Sequence, residues 1–210
     1  IGSVALRTGS TLTLNTTTDQ SYSGDFFDDG TVVKTGTGNQ TFTGTCDASL
    51  GAPSFSVNAG TLIVNSTTFG SCPFAVSGGK LKGSATLGNV SLTGGTIAPG
   101  NSPGTMNVAS LTLNSSSTFE EEIAGATAGS GYYQLIATGA VSLGNATLSV
   151  LPTYTPTVGT VFTIITAGSV SGTFNGLADG ATLSANGVTF RVNYTATSVT
   201  LTYVSGTAGL

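Results

Sequence analysis

The chain has 210 residues, of which only 7% are charged, compared with about 25% in an average globular domain. A net charge of −4 and an isoelectric point near 4.3 argue against capture of nucleic acid or of an anionic membrane surface. The chain contains no histidine and no tryptophan, which excludes Ser–His–Asp and Cys–His catalysis. We therefore expect a protein that is not an enzyme and needs no cofactor.

Apolar and polar residues alternate along most of the chain with the period of 2 that is typical of half-buried strands. Alternating apolar pairs include Leu12 and Leu14, Leu62 and Val64, Val90 and Leu92, Leu111 and Leu113, Leu148 and Val150, and Val199 and Leu201. No segment combines a helical apolar stripe with capping residues, and no apolar run reaches the ~20 residues of a membrane-spanning helix. The pattern predicts an all-β fold with essentially no α-helix and no membrane insertion.

A recurring tripeptide, Gly-Thr-apolar, predicts repeated turns that each lead into a strand. It occurs at residues 30–32, 60–62, 95–97, 104–106, 159–161 and 172–174. Recurrence at uneven spacing fits coils that differ in loop length, so we predict an irregular β-solenoid, or β-helix, over residues 1–138. Asp179-Gly180 and Asn186-Gly187 are tight-turn dipeptides, which predicts a more sandwich-like cap of hairpins over residues 139–210. Residues 1–210 are expected to form one continuous β domain.

An acidic loop near the N-terminus carries Asp25, Asp28 and Asp29 between two glycines. Carboxylate oxygens gathered in one turn can hold Ca²⁺, so these three residues are a weak calcium candidate. The loop lacks the ligand spacing of an EF-hand, and a solvated acidic turn is the favoured interpretation.

The two cysteines, Cys46 and Cys72, are predicted to form a disulfide between neighbouring loops. Such a bond implies an oxidising compartment. The alternative is a pair of small buried thiols in a cytosolic protein.

Residues 94–106 read GGTIAPGNSPGTM, in which two Pro-Gly turns flank Asn-Ser and predict a corner of a repetitive β coil. This segment, with residues 30–44 and 57–62, resembles the passenger-domain repeats of bacterial autotransporters, which are β-helical surface proteins. The resemblance implies a bacterial protein at the cell surface or outside the cell, exported through a signal peptide that has been removed. Tyr133 and the insert between Thr45 and Ser56 depart from the family pattern.

Three consecutive glutamates occupy a strand-like segment, and the alternation from Phe119 to Ile123 places Glu121 on the apolar face. A buried unpaired carboxylate is costly. We therefore expect a β-bulge or a sheet edge here, with pairing to Lys80 or Lys82 as the alternative.

Both ends of the chain are strand-like and lack the charges or prolines that usually protect a strand edge. The residues expected to mediate assembly are Ile1, Val4, Leu6, Val199, Leu201 and Tyr203. The leading prediction is an extracellular structural protein whose copies associate end to end, by strand pairing or exchange, into a filament, sheath or matrix.

Two further functions are kept as alternatives. The first is a displayed stalk segment of an autotransporter-type passenger or adhesin, which follows from the resemblance. The second is recognition of polysaccharide or ice by Thr-x-Thr units, such as those at residues 11–13, 35–37 and 41–43. Their uneven spacing favours ordinary outward-facing strand residues instead.

Overall fold

A computed structural model describes residues 2–208, and within that range the chain forms 23 β-strands and no helix. The first nine strands are β1 (Val4–Ala5), β2 (Thr11–Asn15), β3 (Gln20–Tyr22), β4 (Phe26–Phe27), β5 (Thr31–Thr35), β6 (Asn39–Phe42), β7 (Cys46–Asp47), β8 (Ser54–Val57) and β9 (Thr61–Val64). The next nine are β10 (Phe74–Val76), β11 (Lys80–Lys82), β12 (Thr86–Leu92), β13 (Gly95–Ala98), β14 (Thr105–Thr112), β15 (Ser117–Ile123), β16 (Gln134–Ala137), β17 (Ala140–Ser142) and β18 (Thr147–Pro152). The last five are β19 (Val161–Thr166), β20 (Ser169–Ser171), β21 (Thr182–Ala185), β22 (Val188–Tyr194) and β23 (Ser198–Gly206).

The strands stack into three sheets, as the solenoid prediction requires. The large sheet runs β2-β5-β8-β10-β12-β14-β16-β19-β23-β22-β21, with β17 and β20 attached beside β14. The second runs β18-β15-β13-β11-β9-β6-β3, and the third is β1-β4-β7. Each of the first three coils contributes one strand to each sheet, and neighbouring coils pair in parallel. The prediction of an all-β, solenoid-like fold is confirmed.

Coil length varies along the stack although the strands remain in register. The coil that separates Phe74 from its partner Val90 is shorter than the one that separates Phe26 from its partner Cys46. The coil that brings Ile165 beside Leu135 is longer than either. The corner loops absorb these differences, which is why the Gly-Thr-apolar tripeptide recurs unevenly in the sequence.

The core consists of columns of inward side chains, one from each coil. One column follows the register of the large sheet through Val32, Phe55, Phe74, Val90 and Leu111, all of them buried. Phenyl rings contact one another at the N-terminal half of the stack, with Phe55 and Phe74 stacked at a centroid distance of 4.8 Å. Alternation places these residues inside, and burial of each contributes about 1.5–3 kcal/mol.

Close approach of successive coils requires glycine at the corners. The Pro-Gly segment joins β13 to β14, as its turn chemistry predicts. At Gly83, where φ is 124°, a Cβ atom would overlap the Val64 carbonyl oxygen of the preceding coil. An L-residue therefore cannot replace this glycine without movement of the backbone.

Parallel pairing extends further than the predicted boundary at residues 138/139. β17 and β18 pair in parallel with β14 and β15, and β20 continues the stack beside β17. Antiparallel pairing begins only where β19 meets β23, and it continues through β22 and β21. The boundary prediction was too early because the tight turn at Asn186-Gly187, with φ of 44° and 79°, closes only the hairpin of β21 and β22.

The hairpin of β21 and β22 contacts the C-terminal end of the stack at β18 without pairing with that strand. Strand β21 contacts β18, the last strand of the seven-stranded sheet. The side-chain amide of Asn186 donates a hydrogen bond of 3.0 Å to the carbonyl oxygen of Pro152 at the end of β18. Among the described residues, the C-terminal end of the solenoid therefore has a hairpin against it, and the N-terminal end has none.

Candidate functional site

The first coil leaves an open end on the solenoid. Among residues 2–208, β1, β2 and β3 each pair with a strand on one side only, namely β4, β5 and β6. Val4, Leu12, Leu14 and Tyr22 are partly exposed there, above buried phenylalanines of the second coil. These side chains surround an apolar opening of about 300 Å³. We call this opening, with the outer edges of β1, β2 and β3, the open first coil.

The predicted assembly residues fall in different environments. Ile1 lies outside the described residues, and Val4 lies in β1 beside the opening. Leu6 is only 3% exposed, and its backbone N–H donates to the Phe27 carbonyl oxygen at 2.9 Å. Of the two described residues in the N-terminal set, Val4 borders an accessible edge and Leu6 does not.

The C-terminal assembly residues are not at an edge. Val199, Leu201 and Tyr203 point into the core from β23, which pairs with β19 on one side and β22 on the other. Their expected role as an exposed strand is wrong, because both sets of backbone groups in β23 already have partners. An alternating pattern describes a central strand and an edge strand equally well.

The acidic loop divides its carboxylates among different partners. Asp25 accepts hydrogen bonds from the backbone N–H and the hydroxyl of Thr45, at 3.2 and 2.7 Å. Asp29 accepts a hydrogen bond of 2.7 Å from the Thr8 hydroxyl. All three bonds link neighbouring coils. Within residues 2–208 no group of three acidic, cysteine or histidine side chains is arranged to hold a metal ion, so Asp25, Asp28 and Asp29 do not converge on a calcium site.

Cys46 and Cys72 form a disulfide, which confirms the predicted pairing. Cys46 lies in β7, where the three-stranded sheet ends, and Cys72 precedes β10 in the next coil; their Cα atoms are 6.5 Å apart. Both residues are buried. The bond closes a loop between successive coils and indicates an oxidising, extracellular environment.

The three glutamates adopt strand alternation without a bulge. Glu120 and Glu122 face outward, and Lys80 donates to Glu120 at 2.8 Å. Glu121 points inward with 0% exposure, and neither of its carboxyl oxygens has a hydrogen-bond partner among the described residues. The expectation of a bulge or an edge is wrong, because β15 pairs with β18 without a break in register from Thr118 to Ile123. Turning Glu121 outward by reversing the alternation of β15 would also turn the buried side chains of Phe119 and Ile123 outward.

A second ionisable group is buried in the second coil. Lys34 is 1% exposed and occupies an inward position of β5, opposite Leu14 and Val57. Its ammonium group donates to the carbonyl oxygens of Thr35 and Gly36 at 2.5 and 2.8 Å, and to Ala59 in the next coil at 3.5 Å. Burial lowers the pKa of Lys34. The bonds tie two coils together at a corner, which is a structural role.

The outer face of the large sheet is uncharged over its parallel part. Its register aligns polar residues that are unevenly spaced in sequence: Thr31 faces the hydroxyl of Ser54 at 3.0 Å, and Ser110 donates to Asn89 at 2.8 Å. The only charged residue in strands β2 to β20 of this sheet is the buried Lys34. Sequence spacing alone does not reveal this face, because the corner loops hide the alignment.

The predicted Thr-x-Thr units do not share one rank. Residues 11–13 lie in β2 of the large sheet, whereas Thr41 lies in β6 of the seven-stranded sheet. The hydroxyl rows of the large sheet therefore come from single residues of successive coils.

Comparison with known proteins finds no matching family model and no significant match among curated proteins. The resemblance to autotransporter passenger repeats stays a prediction. In the part of the chain that the structure describes, no helix is long and apolar enough to cross a membrane.

Proposed function

We propose that this protein is a non-enzymatic extracellular structural protein, a β-solenoid building block whose copies associate end to end at a cell surface or in a matrix. The observation that carries the proposal is the open first coil, where three strand edges and a ring of apolar side chains lack partners among the described residues. Unpaired strand edges are templates for pairing with another chain. The occupant of this end is a second copy of the chain.

The contact that extends such an assembly pairs unlike ends. The seven-stranded sheet begins at β3 and ends at β18, which pairs only with β15 among the described residues. Addition of β3 of one copy to β18 of the next would continue this sheet. Leu151 in β18 is 47% exposed and lies at the far end. A contact between unlike surfaces propagates as a filament when the rotation between successive copies does not close a ring, and stacking along the solenoid axis is such a case.

The test compares two lysine substitutions in the same strand. Leu14→Lys places a charge in the open first coil, whereas Thr13→Lys places the same charge on the outer face of β2. We expect the unsubstituted chain to form filaments at high concentration in negative-stain electron microscopy, Thr13→Lys to retain them, and Leu14→Lys to lose them. Light scattering after size-exclusion chromatography gives the mass of each species, and melting curves establish that both variants fold.

Two results would count against the proposal. Isolated rods at every concentration would reject self-assembly and favour the displayed stalk, in which the coils serve as a spacer. Filaments that persist in a folded Leu14→Lys variant would mean that association uses another surface.

A second candidate partner is a neutral polysaccharide, favoured by the uncharged outer face of the large sheet. This face has a shallow concavity of about 360 Å³ around Ala75, bordered by Ser56, Asn89 and Ser91. Uncharged hydroxyl and amide groups suit a neutral sugar chain, and no ionic attraction is needed. Co-sedimentation with cellulose or chitin tests this idea: Ser91→Glu should weaken binding, and Thr41→Glu on the other sheet should not. Equal binding by both variants would reject it.

A further inference from the structure

A segment that follows β15 folds back against the end of that strand and brings Tyr132 and Tyr133 near the inward carboxyl group of Glu121. We call residues 124–133 the return segment. Its two ends are joined by a hydrogen bond of 2.7 Å from the Ala124 N–H to the Gly131 carbonyl oxygen. The Tyr133 N–H donates to the Glu122 carbonyl oxygen at 3.1 Å, and Ile123 forms an isolated antiparallel bridge with Tyr132.

No cation among the described residues accompanies this carboxyl group. On its own strand the neighbouring charges are Glu120 and Glu122, and the return segment contributes the phenols of Tyr132 and Tyr133. Strands β13 and β18, which flank β15, contain no ionisable side chain. Lys80 is bonded to Glu120 on the outer side of the strand. With no cation beside it among the described residues, Glu121 avoids a buried uncompensated charge by keeping its proton.

We propose that Glu121 is a pH-sensitive latch on the sixth coil: with its proton it packs under the return segment, and without it the return segment opens. A carboxylate at this position would have no counter-ion among the described residues, and its oxygens make no hydrogen bond there. The nearest backbone donor, the Tyr133 N–H, is already bonded to the Glu122 carbonyl oxygen. Opening the segment would admit water to it. The strands on either side would remain paired, because their ladders do not pass through the return segment.

The direction of the effect follows from proton linkage. Burial raises the pKa of Glu121 well above its ordinary value, the Glu122 charge raises it further, and the Tyr133 backbone N–H acts in the opposite direction. The folded form therefore holds its proton more tightly than the open form. Stability of the closed segment falls as pH rises above about 4.3, the ordinary glutamate value, and levels off above the raised value.

The two tyrosines do not obscure this range. Burial raises the pKa of Tyr132, and it raises the pKa of Tyr133 to about 12. Both phenols therefore keep their protons between pH 5 and 9, where the measurement is made. A change in that range therefore does not come from these two phenols.

The test is hydrogen exchange of the return segment between pH 5 and pH 9 in the full chain, corrected for intrinsic exchange rates. We expect the protection factors of residues 124–133 to fall at least about tenfold over this range. Glu121→Gln should abolish the fall, and Glu122→Gln, which removes the adjacent outward carboxylate, should retain it.

Three outcomes would overturn the proposal. Constant protection in the unsubstituted chain rejects it directly, without any variant. A fall of equal size in Glu121→Gln assigns the effect to another group, and loss of the fall in Glu122→Gln assigns it to Glu122. Glu121→Met replaces the glutamine variant if that one does not fold, because it also cannot ionise.

Discussion

Removal of the Cys46–Cys72 bond should lower stability by an amount that the structure lets us calculate. The bond joins residues 26 positions apart. The relation ΔS ≈ −2.1 − 1.5R ln n then gives about 12 cal/mol/K, or about 3.5 kcal/mol at 25 °C. For a chain of this size 1 kcal/mol corresponds to about 2–4 °C, so the melting temperature should fall by about 7–14 °C.

The assay separates the covalent link from the side chains that form it. Thermal and urea unfolding are followed by circular dichroism for the unsubstituted chain with and without dithiothreitol, and for the C46A/C72A variant under both conditions. Reduction alone should produce most of the loss. The double variant should be insensitive to dithiothreitol, and its difference from the reduced chain measures the packing contribution of two buried sulfur atoms.

A melting temperature that changes by less than about 2 °C on complete reduction, with free thiols verified by labelling, would refute a stabilising effect of this size. That outcome would mean that the reduced unfolded chain is as restricted as the oxidised one. A loss seen only in C46A/C72A would assign the effect to packing instead.

Three further substitutions test the coil interior, each by urea unfolding. Lys34→Ala should lower the free energy of unfolding by about 2–4 kcal/mol, because it leaves a cavity and three carbonyl oxygens without their donor. The control, Lys82→Ala, should change it by less than about 0.5 kcal/mol. Equal losses would contradict the role of Lys34 at the corner. Phe55→Ala should cost about 3–5 kcal/mol, since its ring contacts four other phenyl rings, and a smaller loss would indicate that the column collapses. Gly83→Ala should lower the free energy of unfolding by about 1–3 kcal/mol through backbone strain. Gly2→Ala should change it very little, because a Cβ atom at position 2 meets no atom within 4 Å. A Gly83→Ala variant as stable as the unsubstituted chain would refute the need for glycine.

Local patterns in the sequence predict the architecture well. Alternation identifies strands such as β2 and β9, and the Pro-Gly segment before Thr105 marks the corner where β13 gives way to β14. These features are local, because strand periodicity and turn geometry depend on a few adjacent residues. A disulfide between Cys46 and Cys72 is the favoured prediction from the sequence, with two buried thiols as the alternative, and the structure confirms the disulfide.

Features that depend on long-range register were not predictable. The pattern around Leu201 is the same in a central strand and in an edge strand, and only the pairing with β19 and β22 distinguishes them. The outer hydroxyl rows are likewise visible only after coils of unequal length are aligned. For Glu121, strand alternation correctly predicts an inward side chain. The cost of burying a carboxyl group argues instead for a bulge or a sheet edge, and the structure has neither at this position. The strand tolerates this penalty because both apolar neighbours must stay inside.

The disulfide also changes how the stack would respond to mechanical force. A solenoid pulled lengthwise from its two ends gives way one coil at a time, because each coil contacts mainly its immediate neighbours. The covalent link between Cys46 and Cys72 keeps the chain between them, a separation of 26 positions, from extending. At about 3.3–3.6 Å per residue, the bond prevents the extension of roughly 90 Å of chain. The aromatic part of the core between these coils is thus kept together even when its neighbours are drawn out.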